Sequence, residues 1–381
     1  MLLSEDHLAV QDAVRAYVQD RIAPQAAHWD KTHHFPAAEL KGLAALGCYG
    51  IAVPSEYGGA GLDYLALAVI LEEIAAGDGA TSTVVSVTNC PVNSILMAWA
   101  TEAQKQQWLR PLARGDMLGA FCRTEPHAGS QADGLKTNAT KDGHDYLING
   151  VKQFITSGKN ADVAIVMAVT DKAAGKKGIS AFIVPTKAPG YTVARLEDKL
   201  GQHASDTAQI LFENCRIPAA NLLGEEGQGL KIALSGLEGG RIGIAAQSVG
   251  MARAAFEAAL RYAKDRVAFG KPIFEHQAVH FRLGEMAMQI EAARQLLHHA
   301  AALKDAGRPC LKEAAMAKLL ASEMAESVCS AAIQIHGGYG YVSDFPVERI
   351  YRDVRVCQIY EGTSDVQKIL IGRALATQTS A

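Results

Sequence analysis

The chain has no GxGxxG and no GxxxxGKS/T, so neither a Rossmann fingerprint nor a P-loop is available to hold a nucleotide. GxSxG and HExxH are missing as well, and any cofactor must be held by a less generic constellation. No two cysteines stand in a CxxC spacing. The seven present (Cys48, Cys90, Cys122, Cys215, Cys310, Cys329, Cys357) are odd in number and scattered, which fits reduced intracellular thiols and not a zinc site. An excess of either charge is also lacking: a net charge of -3 gives no electrostatic argument for nucleic acid or a membrane surface. MLLSEDHLAV carries acidic residues where a signal peptide needs basic ones, and no run reaches the roughly 18 apolar residues of a membrane span. A cytoplasmic protein is the expectation.

What is present suits a globular chain of two or three domains, with 381 residues, 49% of them apolar and 20% charged. Residues 1–115 read as helical. Ser4 is an N-cap followed by Glu5 and Asp6, and Val10, Val14, Val18 and Ile22 form one stripe with Tyr17 beside them. YLALAVILEEIAAG reads as a helix ending at Gly77, and Thr101 with Gln104 as a capping box. From residue 116 to 225 the pattern changes to short β-branched runs, with a hairpin expected at Asn149-Gly150, so a small antiparallel sheet domain is predicted. Residues 226–381 return to long helices, roughly 229–265, 275–305 and 311–335, which argue for a four-helix bundle. The expected class is α+β and multidomain, ordered α, β, α, without the alternation of a doubly wound fold.

Four clusters stand out: FCRTEPHAGSQ (121–131), NGVKQFITSG (149–158), RVAFGKPIFEHQ (266–277), and QIHGGYGY (334–341) continuing through RDVRVCQIYEGTSDVQ (352–367). Together, and in this order, they resemble the acyl-CoA dehydrogenase family, whose TEPxxGSD, NGxKxWITNG, RxxFGxxxxxxxQ, QxxGGxGY and IYEGT signatures they match. The resemblance covers essentially the whole chain. It implies that family's three-domain fold, FAD as cofactor, an acyl-CoA substrate, electron-transfer flavoprotein as electron acceptor, and a homotetramer.

The residues of each cluster suit those roles, beside plainer readings. Thr124 and Ser130 are hydroxyls in a Gly/Pro-rich loop that can bond the polar edge of a ring, although a TEP turn alone is more often only a turn. Phe154 can lay a flat face on an isoalloxazine or sit in a core as an ordinary aromatic. Arg266 offers a planar fork to a pyrophosphate, or caps a helix. Gly337, Gly338 and Gly340 permit close backbone approach, or simply stop a helix. The resemblance implies FAD contacts from Phe121, Arg123, Thr124, Gly129, Ser130, Phe154, Ile155, Thr156, Arg266, Phe269, Gln277, Gln334, His336, Gly337, Gly338, Thr363, Ser364 and Asp365. It implies that the third and fourth clusters reach the cofactor from a neighbouring subunit. Gln131, Arg123 and Phe154 depart from the usual Asp, aliphatic residue and Trp.

Glu361 is the candidate base. Removing a proton alpha to a thioester needs a base near the α-carbon and donors on the carbonyl oxygen, and a carboxylate in an apolar pocket is a stronger base. Ile359, Tyr360 and Gly362 suit such a pocket; on residue chemistry alone, a carboxylate favouring a helix start remains open. The resemblance implies that Glu361 takes the α-proton while the β-hydrogen leaves as hydride. In a minority of the family the base precedes the arginine corresponding to Arg241, and here that position is Gly240. Substrate contacts are implied for Ser130, Glu238, Arg241 and Gly362. A short straight or methyl-branched acyl group is expected. The alternatives are a same-fold oxidase or redox-neutral lyase, and a scaffold without chemistry; a scaffold should have lost Glu361 and the cofactor contacts, and both are retained.

Overall fold

The structure, a computed structural model, describes residues 3–377. Its first part is helical: α1 (Glu5–Tyr17), α2 (Ala26–Thr32), α3 (Ala37–Ala45), α4 (Tyr64–Gly77), α5 (Gly79–Val87), α6 (Ser94–Trp99), α7 (Glu102–Gln104) and α8 (Arg110–Ala113). Ser4 caps α1 by accepting from the His7 amide, and Thr101 and Gln104 form the predicted capping box on α7. The Val14, Val18 and Ile22 stripe is buried, although the last turn that carries it, Val18–Ile22, is π-helical. Almost every residue of α4 is buried, as an all-round apolar helix requires. Its two carboxylates survive burial because arginines from three other helices meet them. Arg15 binds Glu73 at 2.8 Å, Arg253 binds Glu73 at 2.7 Å, and Arg294 binds Glu72 at 3.0 Å.

The middle part is an eight-stranded sheet built from β1 (Gly119–Cys122), β2 (Asn138–Asp142), β3 (Asp145–Thr156), β4 (Val163–Val169), β5 (Ile179–Pro185), β6 (Tyr191–Leu196), β7 (Thr207–Pro218) and β8 (Leu222–Leu223). The order is β6-β7-β3-β2-β4-β5-β8, with β1 on β4. Two expectations are corrected here. The sheet is mixed, because β1 runs parallel to β4 and β2 meets β4 in parallel at Asn138. Asn149-Gly150 is no hairpin turn, because β3 runs straight through it. The turn lies earlier, at Gly143-His144, where Asp142 pairs with Asp145. Gly150 instead sits at a register shift against β7 with φ 147, where a Cβ would crowd Thr137. A positive φ is needed there, but for a bulge inside a continuing strand.

The third part holds α9 (Gly229–Asp265), a short β9–β10 hairpin (Val267–Ala268 with Lys271–Pro272), α10 (Gln277–Asp305), α11 (Leu311–His336), α12 (Val347–Val354) and α13 (Ser364–Thr377). Phe269 and Gly270, at φ 53 and 79, make the hairpin turn, and Gly337 at φ 61 stops α11. The helix α9 packs on α4, α10 and α11, and its beginning touches β5, so it ties the three parts together. No helix among the described residues is long and apolar enough to cross a membrane.

The α4–α9 contact is close enough that Gly250 leaves no room for a methyl group, which would strike the Glu72 carbonyl and Ala75. Gly250→Ala is expected to lower stability by a net of up to about 2 kcal/mol, because an overpacking cost of about 1–3 kcal/mol outweighs the gain of about 1 kcal/mol from alanine's better helix propensity. A thermal melt of the variant checks this; a raised Tm would contradict the packing argument.

Candidate functional site

Glu361 sits between a 3-10 turn (Arg355–Gln358) and α13, in a left-handed pair of residues: φ is 55 at Glu361 and 92 at Gly362. A non-glycine residue there is strained and needs outside support. Gln367 supplies some of it by donating to the Glu361 carbonyl at 3.1 Å and the Gly362 carbonyl at 2.8 Å. Lys318 of α11 donates to the Gly362 carbonyl at 2.7 Å. On the other side, the Tyr360 hydroxyl donates to Gln247 of α9 at 2.8 Å, anchoring the turn inward. Ile359, expected in the pocket, points outward and is exposed.

The carboxylate lies against the glycine face of α9. A Cβ on Gly240 would come within 2.8 Å of Glu361 Oε2, so a side chain at the rival base position would occupy the space that Glu361 uses. Oε2 is sealed from solvent and has no hydrogen-bond partner among the described residues. Burial pushes Glu361 up to about 7, opposed by the positive charges of Arg241, Arg123 and Lys318. Arg241 is 4% exposed and its Nε has no partner among the described residues. Burial holds its guanidinium below the ordinary arginine value, against the pull of Glu361 and Glu238. Glu238 pairs with Lys304 at 2.9 Å, and Lys304 lies over the Tyr64 ring at 4.9 Å.

The first two clusters meet where the loop after β1 reaches the second half of β3. Gln153 donates its amide to the Thr124 carbonyl at 2.9 Å, and Lys152 donates to the Arg123 carbonyl at 3.1 Å. The buried Lys152 ammonium is paired with Glu125 at 2.7 Å, and Glu125 also accepts from the Lys136 and Thr137 amides. The Glu of TEP therefore fastens the 123–137 loop to β3. Between Lys152 and Ile155 the register with β7 shifts, and Phe154 takes φ 59 there, leaving the residue 62% exposed. That strained, outward aromatic is an open flat face and not a core residue. Phe121 is half-buried on β1 and Thr156 half-buried opposite Thr207, while Gly129 and Ser130 are exposed. The Ile155 side chain is buried in the sheet core, so only its backbone can reach a ligand. Arg123 donates to the Gly129 carbonyl at 2.8 Å, and its Nη1 is sealed without a partner among the described residues. An exposed aromatic face beside loop hydroxyls and an unsatisfied guanidinium nitrogen fits a flat, polar-edged ring system such as a flavin.

The remaining predicted residues gather elsewhere. Arg266 ends α9, about 37 Å from Arg241 at the rise of an α-helix. Phe269 is 97% exposed and Gln277 opens α10. His336 stacks on Tyr262 with ring centroids 4.4 Å apart, which joins the ends of α9 and α11. His336 is buried, and Gln334, Gly337 and Gly338 are exposed beside it. Thr363 accepts from the Val366 amide as a helix cap, the Ser364 hydroxyl is sealed without a partner among the described residues, and Asp365 is exposed. The sequence reading missed Glu125, Lys152, Lys318 and Gln367. Lys318 had a signal: it interrupts the stripe formed by Ala314, Ala317, Ala321 and Ala325.

The chain matches the acyl-CoA dehydrogenase N-terminal domain over residues 4–116, the middle domain over 120–215 and the C-terminal domain over 227–376. It is 46% identical to the short-chain specific acyl-CoA dehydrogenase, mitochondrial, of Homo sapiens, over 97% of this chain and 90% of that protein. It superposes on butyryl-CoA dehydrogenase from Megasphaera elsdenii with TM-score 0.96 and 42% identity, covering 99% of both chains. A chain solved under the description "Electron transferring flavoprotein of Acidaminococcus fermentans: Towards a mechanism of flavin-based electron bifurcation" gives TM-score 0.97 and 44% identity, over 99% of this chain and 100% of that one. With all three domains matched in order along the chain, this chain belongs to the acyl-CoA dehydrogenase family.

Proposed function

We propose that the chain binds FAD and introduces the 2,3 double bond into a short-chain acyl-CoA, straight or methyl-branched, with Glu361 as the base. The observation that carries this reading is the Glu361 carboxylate itself, with Oε2 unpartnered, pressed against Gly240 and pushed up to about 7 by burial. A base at that value is half deprotonated near neutrality and strong enough to take a weakly acidic proton. Glu361 removes the α-proton, and its own backbone N–H is assigned to the thioester carbonyl, where charge develops. Arg241, buried with a free Nε, and Glu238 are assigned to the substrate together with Ser130 and Gly362. Phe154 is assigned to stacking on the isoalloxazine, with Phe121, Arg123, Thr124, Gly129, Ser130 and the 155–156 backbone around it. When bound, the flavin accepts the β-hydrogen as hydride.

Arg266, Phe269, Gln277, Gln334, His336, Gly337 and Gly338 are assigned to a cofactor bound mainly by a second subunit; Thr363, Ser364 and Asp365, which follow Glu361, are assigned to FAD as well. The support is the distance of about 37 Å along α9 between Arg241 and Arg266, which is hard to span within one chain. That assignment needs at least two subunits, and a homotetramer is the assembly proposed. The short-chain and butyryl-CoA relatives support the acyl length, and the neighbour described with electron transferring flavoprotein supports such a flavoprotein as electron acceptor. The seven buried free thiols suit a reducing compartment.

The purified protein is expected to be yellow and to bleach anaerobically with butyryl- or isobutyryl-CoA; a colourless protein would sink the cofactor assignment. Glu361→Gln is expected to keep its flavin while bleaching slows by about 10³-fold, within the range for a lost general base. Full turnover in that variant would remove Glu361 from the mechanism. Because the working form is the carboxylate, kcat/KM is expected to rise with pH through about 7 and level off above it. A pH profile flat across that interval would contradict the assignment.

A further inference from the structure

Lys318 is 0% exposed, although it carries an ammonium. Burying that charge is costly unless a negative group shares its surroundings. The groups acting on it are Cys357, Glu361, Arg241 of α9 and Glu323 of its own helix. Burial pushes the Cys357 thiol up and leaves it neutral, and Glu361 acts on Lys318 more strongly than Glu323 does. Glu361 in turn faces Arg241, Arg123 and Lys318, and its charge reaches Cys90.

The three cations are held differently. Arg123 is tied to the Gly129 carbonyl, and Arg241 has its Nε free. Lys318 is bonded to the turn that carries the base, at the Gly362 carbonyl 2.7 Å away. The same carbonyl accepts from Gln367 at 2.8 Å, and Gln367 is also fully buried. Two fully buried donors thus converge beside the strained residue Glu361, at φ 55.

We propose that Lys318 is a positioning residue for the base: with Gln367 it clamps the Gly362 carbonyl, holds the Glu361–Gly362 turn left-handed, and supplies the fixed positive charge against which Glu361 takes its proton. The inference rests on the reading of Glu361 as base and deepens it. Burial holds Lys318 down to about 8, desolvation outweighing the pull of Glu361 and Glu323, so it remains an ammonium at neutral pH. Losing that charge removes one of the three groups that keep Glu361 from rising further. Losing the donor leaves the Gly362 carbonyl to Gln367 alone, and a small misplacement of a base is costly to rate.

Holoenzyme of Lys318→Met, Lys318→Gln and Gln367→Leu is compared with the unsubstituted enzyme by kcat/KM against pH with butyryl-CoA, by flavin content and by Tm. In Lys318→Met the ascending limb is expected to move up by about one pH unit and the plateau to fall about tenfold, at unchanged flavin content. Lys318→Gln keeps a donor without the charge, so its limb moves and most of its plateau stays; it decides the matter if the Met variant does not fold. Gln367→Leu removes a donor but no charge, so its plateau falls and its limb stays. A limb unmoved in the Lys318 variants overturns the inference, as does a loss of flavin or Tm that accounts for all the lost activity. Glu361→Gln separates the two readings. If it still turns over, the base assignment fails; if it is inactive while the Lys318 limb does not move, only the role of Lys318 fails.

Discussion

Glu361 can lie against α9 because residue 240 has no side chain, and much of the site follows from that steric gap. The gap brings a carboxylate into a pocket where Oε2 finds no hydrogen-bond donor among the described residues, and desolvation then raises its proton affinity. Opposed charges keep that rise finite. Arg241 is carried on the same helix one residue after the gap, and Arg123 comes from the loop after β1, so the carboxylate is poised by two different parts of the fold.

Holding a glutamate at positive φ needs structure behind it. The turn is anchored inward by Tyr360 on Gln247 and from below by Gln367 and Lys318 on its carbonyls. The 123–137 loop is fastened by a comparable device, the buried Glu125–Lys152 pair. In both places a buried lysine bonds a backbone carbonyl, and a carboxylate supplies the compensating charge. Such groups are tolerated because each has a charged partner nearby, and they specify geometry more than they add stability.

Much of the helical fold was legible because its signals are local. Ser4, Thr101 with Gln104, and the apolar run ending at Gly77 mark caps and helix ends that the structure reproduces. The sheet was less legible. Asn149-Gly150 has turn chemistry, yet β7 pairs on both sides of it and holds the strand open as a bulge. Which strands run parallel depends on pairings between distant segments, and no local pattern carries that. The exposure of Phe154 was open for the same reason, because a register break and not the strand alternation turns it outward.

The sequence by itself determined the order of helical and β segments, the residue types gathered in each cluster, and the presence of glycine at position 240. These are properties of composition, spacing and single residues. Tertiary structure decided that Glu361 Oε2 is sealed and the carboxyl raised, that Arg123 and Arg241 both act on it, and that Lys318 and Gln367 brace its turn. Desolvation and charge coupling depend on what surrounds a group in space, and those surroundings come from segments up to 238 residues away along the chain, as Arg123 is from Glu361.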